Sequence, residues 1–389
     1  MSNAKALQKN EALTRSFDHL ADLAQGRRQT LIATDEKTYI SFYTDTLLSS
    51  FGYNNPEINR DINAFIKDHQ RTPVNPAILT TELQEQLTKL LPKRLHHIRI
   101  DGADVLSPIL KALTVNGHFR FLCLEKPPAF MGSPYADALV TLEELSEGAS
   151  PAAPDTLLPE ASALRQILKK HRGILAGCIV NPVLLGRGMV AREKNLDLLL
   201  SQLKKAKIPL IWDDSQAAFF RLGPAFTSEL YGAEPDALIY SHRITEGRSV
   251  HFAALSKKLS KRLEEAPAAV GASDIPGLII LRSLLKHIGQ NHYDRSTRDL
   301  GTRIQGKLRA LEANCGQKFS MAGRGLTWFI DLPSTEDRRA FIAAMAEAGY
   351  LLKALPTKAD AVFIYPPLCL SEANADMLIE AMKRFFEDQ

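Results

Sequence analysis

Cysteine is scarce in this chain. Four are present in 389 residues, Cys123, Cys178, Cys315 and Cys369, and no two form a CxxC pair. Neither a disulfide scaffold nor a thiolate zinc site is expected. Cys123 and Cys178 fall in apolar, strand-like runs and read as buried thiols. Long apolar runs are also missing, and none approaches the roughly 20 residues that span a bilayer. The first residues, Met1 to Ala6, are polar and hold no apolar signal core, so a cytoplasmic protein is expected. Charge of one sign is not in large excess. The formal charge is +4 with Lys and Arg scattered, which argues against a nucleic-acid surface. No His-x-His or Asp-x-Asp pair lies near the acidic positions discussed below, and no metal is expected. One more absence matters later: no lysine occurs between Lys207 and Lys257.

The chain does contain a regular alternation of apolar runs and amphipathic stretches. At 45% hydrophobic and 24% charged, its composition is that of a globular protein, and its length suits two domains. Strands are expected at 39–43, His97–Ile100, 120–125, 174–180, 209–212, 237–240 and 250–255. Helices are expected at 57–69, 80–92, 159–171 and 191–206, with another from about Asp104 to Thr114. Such β–α–β alternation implies a mostly parallel sheet covered on both faces. Helices at 276–290 and 294–314 lead to a smaller α+β unit, with strands at 319–322, 327–332 and 361–365 and helices at 335–349 and 371–387. The expected division is an N-terminal segment, 1–38, packing on the small domain or a partner subunit; a large domain, 39–290; and a small domain, 291–389. Residues 1–24 read as a polar helix, with Leu7, Leu13, Phe17, Leu20 and Leu23 roughly on one face. Ser256 to Arg262 reads as a basic helix with a solvated face.

The chemistry centres on Pro209 to Gln216 and on Pro235 to His242. The first apolar run ends in Asp213-Asp214, the second in Ser241-His242. Ligands of a parallel sheet sit beyond the carboxyl ends of its strands, so Asp213 and His242 are expected at one site. Taken alone, an Asp-Asp at a strand end serves equally as a helix cap or a metal ligand. His97 to Asp104 reads as strand, Gly102, then helix, an anion-binding arrangement. Asp101 is a good N-cap and would fill the same amides.

Asp213-Asp-Ser-Gln-Ala-Ala-Phe-Phe-Arg221-Leu-Gly223, followed by Tyr-Gly-Ala-Glu-Pro-Asp236, resembles the core signature of the class III aminotransferases. These are pyridoxal-phosphate enzymes that include ornithine and acetylornithine aminotransferases. Further matches are Gly102-Ala103, Phe130-Met-Gly132, Gly323-Arg-Gly-Leu326 and Pro366-Pro-Leu368, so that the likeness covers about 39–389. It implies a type I pyridoxal-phosphate transferase fold and a homodimer with its site at the interface. It assigns Asp213 to the pyridine nitrogen and Gln216 to the ring hydroxyl. Phe130 would stack on the ring, and Gly102, Ala103 and Ser273 would hold the phosphate.

The departures from the pattern are chemical. The family has its Schiff-base lysine where this chain has His242, and its substrate-carboxylate arginine where Phe363 stands. Tyr53 and Asn55 replace two histidines, Asp101 a hydroxyl residue, and Asn181 a glutamate; Gly186 stands where ornithine-type members carry an acid. Imidazole forms no neutral aldimine, although it moves protons. The resemblance therefore implies a homologue that is not a conventional transaminase: a catalytically divergent enzyme or a non-catalytic binding, scaffold or regulatory protein. The alternative is an enzyme that uses pyridoxamine or pyridoxal phosphate without a covalent tether, with His242 as proton shuttle, as in some sugar dehydratases of this fold. Under the first reading no cofactor need bind.

Overall fold

The computed structural model describes residues 23–34, 36–69, 74–101, 104–115, 118–126, 135–145, 158–265 and 274–387. Its centre is a seven-stranded sheet. The spatial order is His97–Asp101, Arg248–Leu255, Ala237–Thr245, Leu210–Asp213, Leu175–Val180, Arg120–Cys123 and Leu139–Thr141. From Ala237–Thr245 to Leu139–Thr141 every pairing is parallel. Arg248–Leu255 is antiparallel to both of its neighbours. A parallel sheet must have both faces covered, and every residue of Leu175–Val180 and Leu210–Asp213 is buried.

Side-chain alternation sorts the sheet into two apolar layers. Trp212, Tyr240 and Phe252 pack into one. Ile211, Ile239 and Ala253 pack into the other, against the helices Leu106–Leu113 and Lys257–Glu265. The second of these helices buries Leu259 and Leu263 and turns Lys257 and Lys258 to solvent, as its basic sequence implies.

The smaller unit is a four-stranded sheet, Ser320–Arg324, Thr327–Asp331, Ala361–Ile364 and Lys353–Ala354 in spatial order. The helices Tyr293–Cys315, Thr335–Glu347 and Glu372–Glu387 cover it. A third sheet joins the chain's start to this unit. Leu23–Arg27, Thr30–Ala33 and Thr38–Ser41 pair antiparallel, and Tyr350–Leu351 adds to Thr38–Ser41 in parallel. Leu23 and Ala24 therefore belong to a strand, not to the end of a helix. Backbone pairing across the turn at Arg28, whose φ is 54°, overrides the helical spacing there. The rest of the expected helix lies outside the described residues.

The large and small units meet at a glycine. Gly325 has φ +58°, and a Cβ there would sit 2.4 Å from the Arg221 carbonyl. Leu326 N–H donates to that same carbonyl at 2.9 Å. Gly325→Ala is expected to cost at least about 1–3 kcal/mol from the backbone conformation alone. A urea-denaturation midpoint checks this, with the exposed Gly306→Ala as the control that should not lose stability.

Candidate functional site

The two aspartates at the end of Leu210–Asp213 have different fates. Asp214 is fully buried and surrounded by donors: Thr227 N–H at 2.8 Å, the Thr227 hydroxyl, and Trp212 Nε1–H at 3.3 Å. Burial nevertheless raises its carboxyl to about 7. It is a structural carboxylate that pins the following turn, whose Ala217 and Ala218 amides bond the Asp214 carbonyl. Asp213 is left for the mouth of the sheet. Its Oδ1 accepts from Ser215 N–H at 3.0 Å and from Ser215 Oγ–H at 2.5 Å. Its Oδ2 meets no donor among the described residues. Burial raises this carboxyl too, partly offset by the Ser215 bonds.

After Gln216 the backbone is strained. Phe219 and Phe220 have φ of 55° and 73°, a left-handed region that bulky residues avoid. Such strain persists where packing over-determines it. Phe219 lies edge-on to Tyr240 at 5.0 Å, and its N–H bonds the Ala225 carbonyl at 2.6 Å. The strained pair turns Arg221 inward. Its guanidinium donates to Thr44 Oγ1 at 2.8 Å, to Ser50 Oγ at 2.7 Å and to the Pro366 carbonyl, and lies 3.7 Å from the centre of the Tyr365 ring. Tyr365 Oη–H in turn donates to the Gln216 carbonyl at 3.1 Å.

His242 is half-buried on the other layer of the sheet. Asp213 pairs in register with Ile239, and His242 with Val250. Alternation then puts Ser241 on the face of Asp213, and His242 on the face of Tyr240, whose ring it meets edge-on at 6.2 Å. Asp213 and His242 thus bracket the carboxyl edge of the sheet rather than converge from one side. The imidazole on Asp213's face is His251, directly across from Ser241, with Nδ1 2.7 Å from Ser241 Oγ. Ser241 N–H donates to Ser215 Oγ at 3.0 Å, which closes a polar chain back to Asp213. Neither Ser241 nor His251 stood out in the sequence as a site residue.

Several other expectations meet definite geometry. Asp104 caps the helix at Leu106–Leu113, its Oδ1 accepting from Leu106 N–H at 2.8 Å and Ser107 N–H at 3.1 Å, and the Asp101 side chain lies outside what the structure describes. Asn55 caps the helix Pro56–Asp68, and Tyr53 Oη–H bonds the Tyr43 carbonyl at 2.9 Å. Asn181 donates to the Val183 carbonyl at 3.2 Å, while its buried Oδ1 has no partner among the described residues. Gly186 N–H donates to Glu125 Oε1 at 2.8 Å, and a Cβ at 186 would press on that carboxyl at 3.0–3.2 Å. Arg187 pairs with Glu143 at 2.6 Å. Phe363 is buried, stacked on Phe329 at 4.9 Å and beside Tyr43 and Tyr365. Gly102, Ala103, Phe130 and Ser273 lie outside the described residues. Among the described residues no cluster of His, Cys, Asp or Glu is set to hold a metal, and no helix is long and apolar enough to cross a membrane.

Burial pushes the His242 imidazole down to about 4, with Arg221 and Arg243 adding to the effect and Asp45 opposing it. The ordinary value is about 6.5. Between these values the folded chain binds fewer protons than the unfolded chain. His242's share of stability therefore rises as pH goes from about 4 to about 6.5 and is level above. An NMR titration should find the His242 midpoint near the lower value, and His242→Gln should flatten the rise of melting temperature across that window.

Residues 112–386 match the family model for class-III aminotransferases. The chain is 22% identical to the acetylornithine aminotransferase of Methanothermobacter thermautotrophicus over 382 residues, 94% of each chain. A 115-residue stretch, 29% of this chain and 27% of the relative, is 30% identical to the glutamate-1-semialdehyde 2,1-aminomutase of Nitrosopumilus maritimus. Among solved structures, the pyridoxamine-phosphate form of a Vibrio fluvialis aminotransferase superposes with a TM-score of 0.75 at 18% identity, covering 95% of this chain and 93% of that one. An Arthrobacter phospholyase in complex with phosphoethanolamine gives 0.78 at 16% identity, covering 99% and 100%. The fold is that of the pyridoxal-phosphate-dependent aminotransferases, and the chain belongs to the class III aminotransferase family.

Proposed function

We propose that this chain does not carry out conventional transamination and is a catalytically divergent homologue that takes a vitamin B6 cofactor without a covalent bond. One observation carries the reading: the position that the resemblance assigns to the Schiff-base lysine holds His242, an imidazole kept neutral at pH 7. No amine is present there to form the linkage.

The ring end of the site fits the cofactor. Asp213 offers Oδ2, the free acceptor of a buried carboxylate, to a pyridine N–H. Gln216 would meet the ring hydroxyl, and its backbone is held by Tyr365. Phe130 would stack on the ring, and Gly102, Ala103 and Ser273 would hold the phosphate, with the site completed in a homodimer, the assembly common in this family. Bound pyridoxal or pyridoxamine phosphate would supply an electron sink. His242, neutral above about pH 4, would accept a proton from a substrate carbon and return it.

A second reading, a homologue without catalysis, has its own support. Asp104 occupies the first amides of the helix beside Gly102-Ala103, and a carboxylate there repels a phosphate.

Absorbance between 320 and 450 nm, with either cofactor form added, tests both. The expected result is reversible binding that Asp213→Ala weakens at least about 10-fold and that dialysis removes. After borohydride, no lysine peptide should carry the cofactor mass. A reduced lysine adduct would overturn the proposal, and no binding of either form at millimolar cofactor would leave the non-catalytic reading.

A further inference from the structure

Two cations, Lys353 and Arg243, share one half-buried carboxylate on the His242 side of the sheet's carboxyl edge, and a third, Arg221, is buried nearby. Arg221 is 1% exposed and meets no carboxylate among the described residues. Lys353 and Arg243 approach the same oxygen, Asp45 Oδ1, at 2.9 and 3.5 Å. Arg243 also lies 3.3 Å from Glu246, but the Glu246 side chain is 76% exposed and water screens that pair.

Lys353 is fixed in place. It belongs to the edge strand Lys353–Ala354, directly across from Phe363. Its Nζ donates to Tyr43 Oη at 2.9 Å as well as to Asp45, and lies 4.0 Å from the centre of the Tyr43 ring. An ammonium has three N–H donors, and the third meets no acceptor among the described residues. Arg243 is half exposed, so the cluster opens to solvent on that side. His242, next in the chain, registers the positive surroundings, since Arg221 and Arg243 both disfavour its protonation.

Asp45 shows what the cluster is shaped for, because a carboxylate oxygen already sits between the ammonium and the guanidinium. We propose that Lys353 and Arg243 form an anion subsite for the carboxylate of a small-molecule ligand, with Asp45 as the internal group that the ligand competes against. This rests on reading the carboxyl edge of the sheet as a small-molecule site, but not on which cofactor it holds.

Calorimetric titration of the full-length protein with succinate tests it, with phosphate and butylamine as the other probes. Saturable succinate binding is expected. Lys353→Met and Arg243→Gln should each weaken it about 10-fold or more, and Lys353→Arg should retain most of it. Asp45→Asn should tighten it several-fold. Opposite signs for Lys353→Met and Asp45→Asn are the decisive reading, because a purely structural ion pair loses stability from either change and moves affinity one way. Equal losses from both, no saturable succinate binding, or a preference for phosphate or butylamine would each overturn the proposal. If pyridoxamine phosphate binds reversibly and succinate does not, this subsite fails and the reading of the cofactor site stands; the converse result separates them the other way.

Discussion

The site depends on the bonding of Asp214. Two adjacent carboxylates at a strand end cannot both face a ligand, since alternation sends them to opposite sides. Here Thr227 and Trp212 take the second one into the core. That leaves Asp213 as the acid at the mouth, and it anchors the turn that carries Gln216 and the strained Phe219-Phe220 pair. The strained path leads directly to Arg221, whose side chain reaches Thr44 and Ser50 from the N-terminal part of the chain and Pro366 from the small unit. An interior guanidinium that bonds no carboxylate among the described residues is a costly arrangement. It is tolerated because hydroxyls, a carbonyl and the Tyr365 face replace part of its hydration.

Much of this was legible in the sequence. The strands at 174–180, 209–212 and 237–240 stand out as short apolar runs separated by helix-length stretches, which is how a doubly covered parallel sheet reads. The order of motifs identified the family. The contents of the cleft were less legible. Asp45 and Lys353 are 308 positions apart, and nothing local to either marks the pair. Ser241 and His251 are a different case. Glu246-Gly247 is a turn signal, with Gly247 at φ 75°, and folding the chain back there sets His251 opposite Ser241. Treating Ala237–Tyr240 as a strand that stops short hid this, because the observed strand runs on to Thr245. Leu23 and Ala24, at the end of the stretch whose spacing reads as helix, are strand for a related reason: five residues of β-pairing leave too short a pattern to compete with a helical one.

The register also changes how His242 and Asp213 relate. A residue three places beyond the register partner of Asp213 leaves the sheet on the other face, so the two meet a common ligand only across the sheet's end. His251 shares the face of Asp213 and is tied to it through Ser241 and Ser215. The sheet therefore presents one imidazole on each side of its carboxyl edge, in different company. His242 stands among cations, whereas His251 is bonded to the Ser241 hydroxyl, and the Ser241 backbone N–H leads through Ser215 to a buried acid.

That company bears on what position 242 can do. Burial and neighbouring arginines disfavour any protonated base, so an amine at this position would be pushed toward its neutral, nucleophilic form. The same surroundings act on the imidazole and hold it neutral. The environment is thus suited to a neutral nitrogen base, while the group present lacks the N–H₂ needed to condense with an aldehyde. If a cofactor binds as proposed, a neutral base that cannot tether it would have one chemical use there, moving a proton to and from a bound molecule. On the proposed function, reversible binding at Asp213, rather than bond formation at 242, would be the property on which this chain's chemistry turns.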